Sequence, residues 1–400
     1  MNARNVSALV ILASAFCPLS FAQNAPTVSL AGAQEQVIQV EVTPADHAAV
    51  AVHRRVHTSG ALRPEGGQYP PKTFETDSSG ALAEVTRNSL LSSLAIGQAS
   101  SASVSSNAPP FTGPGFYPAD LSLASTTGQT ITQAQVHNIY INCTAACWGY
   151  PAVFETNLFS SDFIHVLDQY VGTEANGRYS LGVSLQITYP VKSQSSFPNL
   201  LNDADLDAIL HAASLKLGSG YNHIFNVFVP KGVDYCFGYN PPYTSCFSPD
   251  NNSTWTWCAF HGYSTFADIP NAVYGTLEPY QDVFSMSPLN GVPTPLYGCD
   301  VGQPFPYSSD TTPTPNGVAV DSVDNFVSHE LFETITDPDG SEWQAQDGYF
   351  YLTSGVEIGD VCEFNTVRVH LVFTPFYLSG HLYEIQPEYS NKYHACVTVP

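Results

Sequence analysis

The run Ser328-His329-Glu330-Leu331-Phe332-Glu333 carries one imidazole and two carboxylates, and Pro338 stops it shortly afterwards. Residues four apart on a helix sit about 5–6 Å apart on one face. The spacing therefore predicts that His329 and Glu333 point the same way, with Glu330 beside them. A zinc hydrolase needs that arrangement: two ligands one turn apart, and a carboxylate next to the metal to handle protons. The commoner form of this motif closes with a second His. Here Glu333 takes that place, which adds negative charge and makes a bound zinc ion a weaker Lewis acid.

A second acidic knot follows in Glu357-Ile358-Gly359-Asp360-Val361-Cys362. Zinc needs a third protein ligand, and an acidic residue on such a loop supplies one. Asp360 is the expected third ligand. Glu357 is an alternate ligand or a group that orients His329. His261, in Cys258-Ala259-Phe260-His261-Gly262, is a further ligand, a transition-state stabiliser or a structural hydrogen-bonded histidine. His165, His211 and His223 lie in apolar-periodic segments and read as core or surface histidines. Asp337-Pro338-Asp339-Gly340 reads as a turn, with weak Ca2+ binding by its oxygens as the rival.

The elements that must position these residues follow from periodicity. Val323, Val327, Leu331 and Ile335 form one arc of a helix, with the ionisable residues on the adjacent arc. Asp321 to Asp324 is read as supplying its caps. Strands are expected at Val136–Asn142, Tyr179–Tyr189, His223–Val229, Trp257–Phe266, Ala272–Tyr280, Val367–Phe373 and His381–Ile385. Helices are expected at Ser161–Tyr170 and from Asn202 through Leu215. Alternating strands and helices predict one α/β domain with a mixed sheet and flanking helices.

Composition narrows the function classes. The 400-residue chain is 44% apolar but only 12% charged, with a formal charge of −23. Such acidity argues against nucleic acid and anionic membranes as partners and suits cation binding. No run reaches the roughly 18 apolar residues of a membrane span. Arg4, the apolar stretch Val6–Phe16 and Ser20-Phe21-Ala22 read as an export signal over 1–22. Phe16 before Cys17 is too large for a lipid-anchoring site. Eight cysteines remain, an even number that favours disulfides in an exported chain. The expected pairs are Cys143–Cys147, Cys236–Cys246, Cys258–Cys299 and Cys362–Cys396.

Residues 23–115 hold five Lys/Arg and no cysteine, and 95–115 is rich in Ser, Ala, Pro and Gly. They read as a pro-segment or small unit with some strand near Gln36–Val42, plus a linker. The dibasic Arg54-Arg55 reads as an ordinary loop sooner than a processing site. From 116 to 400 there are six Lys/Arg against 28 Asp/Glu. Trp255, Trp257 and the Tyr-rich loop 235–249 read as disulfide-loop packing or as a sugar-stacking wall.

The set Ser328-His329-Glu330-x-x-Glu333-x-x-Thr336-Asp337-Pro338 with Glu357-x-Gly359-Asp360-x-Cys362 resembles the phosphate-induced, Exordium-like secreted proteins. So do His137-Asn138-Ile139-Tyr140, Cys258-Ala259-Phe260-His261 and Ile385-Gln386-Pro387-Glu388-Tyr389-Ser390-Asn391. The resemblance covers roughly residues 115–400. It implies a secreted, zincin-like domain built on a central helix, with disulfide-stapled loops. It implies His329, Glu333, Glu357 and Asp360 as the metal set and Glu330 as the proton-handling residue. The expected function is a zinc peptidase-like hydrolase in which Glu330 activates a metal-bound water. The alternative is a non-catalytic cell-wall or glycan-binding protein with a structural metal. Either is expected outside the cytoplasm, extracellular or periplasmic, as a monomer.

Overall fold

The computed structural model describes residues 35–42, 51–60, 72–76, 82–84, 120–125, 128–172, 177–194, 196–243, 245–248, 255–281, 286–289, 292–295, 299, 301, 314–345, 356–362 and 375–400. The expected leader over 1–22, the 95–115 linker and the Val367–Phe373 strand lie outside these residues.

A ten-stranded mixed sheet organises the chain. Its strands are β1 (Val37–Glu41), β2 (His53–Gly60), β3 (Lys72–Thr76), β4 (Leu82–Glu84), β5 (Ala134–Ile141), β6 (Tyr179–Leu181), β7 (Ser184–Thr188), β8 (His223–Val229), β9 (Trp257–Thr265) and β10 (Val273–Pro279). The order is β1-β7-β5-β8-β10-β9-β2-β3-β4, with β6 pairing β5. The half from β1 to β10 is parallel, and the half from β10 to β4 is antiparallel.

The parallel half is apolar on both faces, as burial under helices requires. Along β8, Ile224 and Phe228 join one core, while Phe225, Val227 and Val229 join the other. Helix α2 (Asp203–Leu217) covers the second face through Leu206 and Ile209. A capping box starts it: Asn202 accepts from the N–H groups of Ala204 and Asp205, and Asp205 accepts from the Asn202 N–H. Helices α1 (Pro151–Phe159) and α3 (Val318–Thr336) lie on the first face. Val323, Val327, Leu331 and Ile335 of α3 enter that core as their periodicity predicts. Each is at most 1% exposed, so each contributes about 1.5–3 kcal/mol of apolar burial. That helps offset the desolvation of the polar residues beside them.

Several expectations need correction. Residues 37–84 are not a separate unit, because β1 pairs with β7 and β2 with β9. Arg54-Arg55 lies within β2, not in a loop. Helix α3 starts after Gly317, so Asp321 sits in its first turn and provides no side-chain cap. The expected helix Ser161–Tyr170 is a 3-10 segment over Asp162–Leu167 followed by one α turn. The strand expected over 179–189 is two strands. Helix α1 escaped the periodicity reading; Pro151 at its first turn is the signal that marks it.

All four expected disulfides form. Trp255 and Trp257 are buried and pack with Phe247 beside the Cys236–Cys246 pair, so neither offers a stacking wall. Among the described residues no helix is long and apolar enough to cross a membrane.

Candidate metal centre

The site begins as one row of side chains across the sheet. The strand register places Asn138, Asn226, Thr276, His261, His57 and Thr73 opposite one another on β5, β8, β10, β9, β2 and β3. Side chains in register share a face, and this face lies under α3, which packs on β10 and β9. At one end, Glu155 of α1 accepts from the amides of Asn138 and Asn226, at 2.7 Å each. At the other end, Thr73 meets His57 Nδ1 at 3.0 Å.

Helix α3 lowers its ionisable arc onto that row. His329 Nε2 stands 3.2 Å from Glu333 Oε1, as the four-residue spacing requires. Glu330 Oε2 and Glu333 Oε2 stand 3.2 and 3.3 Å from His261 Nδ1. The 356–362 segment closes the third side. Glu357 precedes a helical turn, and its N–H donates to Asp360 Oδ2 at 3.0 Å. The Asp360 N–H in turn donates to Glu333 Oε1 at 3.1 Å. Asp360 Oδ1 lies 3.8 Å from His329 Nε2. Glycine at 359 is what permits this approach: a Cβ there would stand 2.7 Å from His329 Nδ1. Cys362, paired with Cys396, pins the turn.

The structure thus brings together His329, Glu330, Glu333, Asp360, Glu357 and His261. One positional expectation is corrected. Glu357 does not orient His329; its oxygens face His261 Nε2 at 3.3 Å and His57 Nδ1 at 3.5 Å. The residue against His329 Nδ1 is Gln386, at 3.2 Å, and Gln386 also donates to Gly359 O. The sequence reading missed His57, whose Nε2 contacts Asp360 Oδ2 at 2.9 Å. No local pattern marks it, because it lies far in sequence from the acidic residues it meets. The Asp337–Gly340 carboxylates are engaged as a turn. Asp339 accepts from Tyr221 and Tyr274, and Asp337 accepts from the Glu342 N–H and Gln344. His165, His211 and His223 stay outside the site, against Asp168, Asp268 and His137.

Electrostatics divide the site. Burial pushes the carboxyls of Glu330, Glu357 and Asp360 upward. Burial opposes the ionised form of Glu333 too, but His329 and His261 outweigh it and hold that carboxyl well below the usual range. Burial would lower His57, yet Glu357 and Asp360 prevail and push it up to about 9. His261 is raised for the same reason, by Glu357, Glu330 and Glu333.

Among the described residues two donor sets are compact enough to hold an ion: His329, Glu333 and Asp360, and His261, Glu333 and Glu357, each with its ligand atoms within 4.8 Å of one another. Tetrahedral zinc at about 2.0–2.1 Å puts neighbouring donors about 3.3 Å apart; Glu333 stands 3.2 Å from His329 Nε2 and 3.3 Å from His261 Nδ1, Asp360 stands 3.8 Å from His329 Nε2, and Glu357 meets the other nitrogen of His261. Glu330 Oε1, Glu333 Oε2, Asp360 Oδ1 and both Glu357 oxygens are buried and accept no hydrogen bond. Buried carboxylate oxygens without donors are costly unless a cation meets them. The donor set therefore fits a divalent metal. A small cleft of about 10 Å³, room for about one water molecule, lies on the His261 side and is lined by Arg55, His57, Thr73, His261, Tyr263 and Glu357. No protein family, curated protein or solved structure matches the chain.

Proposed function

We propose that the protein is a secreted, metal-dependent hydrolase acting on peptides, with zinc held by His329, Glu333 and Asp360. The observation that carries this reading is the convergence of imidazole and carboxylate from α3 and the 356–362 turn, with buried carboxylate oxygens that accept no hydrogen bond. A bound zinc ion would supply Lewis-acid polarisation of a scissile carbonyl and a more acidic water. Glu330 takes the proton at Oε1, which accepts no hydrogen bond, while its Oε2 is held by His261. His261 lies between Glu330 and Glu357 and stabilises negative charge developing at the cleft. Four disulfides suit an oxidising compartment. Membership of the Exordium-like secreted proteins belongs to the same proposal and rests on the motifs quoted above.

Burial supports a second reading, a non-catalytic extracellular wall- or glycan-binding protein with a structural metal: His329, Glu330, Glu333 and Asp360 are all 0% exposed. One variant separates the two. Glu330→Gln should keep the metal and the unfolding midpoint but abolish cleavage of a peptide library if the hydrolase reading holds. Unchanged behaviour in every assay would favour the structural reading. Purified protein that is metal-free and fully stable would end both.

A further inference from the structure

We infer that the centre holds two divalent cations bridged by Glu333. This rests on the metal-centre reading above and goes beyond its single ion. The two compact donor sets share one residue, Glu333, and each has its own imidazole. Glu333 divides its oxygens between them: Oε1 faces His329 Nε2 at 3.2 Å, and Oε2 faces His261 Nδ1 at 3.3 Å. A carboxylate that turns one oxygen to each of two imidazoles is placed as a bridge; a monodentate ligand to a lone ion would give its second oxygen to a hydrogen-bond donor, and Glu333 Oε2 accepts none.

The terminal ligands follow the same division. Asp360 Oδ1 lies on the His329 side, and Glu357 lies on the His261 side, within 4.8 Å of the other donors although its closest contact, through Oε2, is to His261 Nε2. Both oxygens are buried and accept no hydrogen bond. Charge points the same way. Four carboxylates, of Glu330, Glu333, Glu357 and Asp360, touch the imidazoles in this buried space. Two divalent cations match the four carboxylates in charge, whereas one leaves two of them to the imidazoles where desolvation is costly. Paired metals about 3.5–4 Å apart are a recognised device for clamping both oxygens of a displacement. The His261 ion would face the cleft beside Arg55 and Tyr263, and the His329 ion would lie behind it.

The test is metal stoichiometry on the purified full chain, stripped with a chelator and reloaded with Zn2+. Two zinc ions per chain are expected, with His261→Ala and His329→Ala each retaining one. One ion in the wild type overturns the bridged pair and leaves the single-ion hydrolase standing. No ion overturns both. A measurement without substitutions covers variants that fail to fold: loading the wild type with Mn2+ should give spin-coupled electron paramagnetic resonance signals at full occupancy. An uncoupled spectrum at saturation also overturns the pair.

Discussion

Strand β2 feeds two buried polar clusters, one on each face of the sheet, and the two are built differently. On the α2 face, Arg54 donates to Asp203 Oδ1 at 2.9 Å and to the Tyr235 hydroxyl at 3.1 Å, and it lies 3.6 Å from Asp207. Asp203 also accepts from Tyr235 and the Gly238 N–H, and Asp207 from Tyr239 and the Ala51 N–H. On the α3 face, His57 enters a space holding more carboxylates and fewer donors: five oxygens of Glu330, Glu333, Glu357 and Asp360 accept no hydrogen bond, against one, Asp207 Oδ1, beside the guanidinium. The first cluster carries its own permanent cation. The second has only imidazoles, whose charge depends on protons. A self-sufficient ion cluster and a vacant-donor cluster can therefore be told apart by their hydrogen-bond partners, although both are acidic and fully buried.

The largest effect should come from the self-sufficient side. Arg54→Met strands Asp203 and Asp207, and breaking a buried pair in this way costs about 3–5 kcal/mol. Urea unfolding measures it, and a loss under about 1 kcal/mol would erase the contrast. Next is the cation itself. Zn2+ at about 100 times its dissociation constant should stabilise stripped protein by about 2.7 kcal/mol, with much less gain in His329→Ala. Identical midpoints with and without zinc would place both clusters in the same class.

The smallest step concerns a third way of burying a carboxyl. Burial raises Glu155 to about 8, against the two asparagine amides that favour its charge. The folded chain then keeps a proton that the unfolded chain releases near 4.5. Its contribution to stability is present below that value and is lost as pH rises towards 8, by at most about 1.4 kcal/mol per pH unit. Glu155→Gln should flatten that part of the stability profile. An unchanged slope would mean that Glu155 is ionised and that its amides suffice.

The readable parts of the site were local. His329, Glu330 and Glu333 lie on one helix, and helical geometry alone sets their spacing. Glu357 and Asp360 sit on one turn beside a cysteine, and all four disulfides join cysteines that are consecutive in sequence order. His57 was unreadable because β2, His-Arg-Arg-Val-His-Thr-Ser-Gly, lacks apolar alternation. Its place depends on pairing with β9 and on a contact 303 residues away. The cross-sheet row was hidden for the same reason. Asn138 and Asn226 each interrupt an apolar strand, but only the register shows that they belong to one line.

The position of β2 between β9 and β3 also sets the order of assembly. Ser59 and Ala259, which bond across that seam, are 200 residues apart. A strand synthesised early must wait for a partner made much later, and such non-local pairing slows folding. The antiparallel half of the sheet, and with it the imidazole of His57, can thus lock into place only after more than half of the chain has emerged.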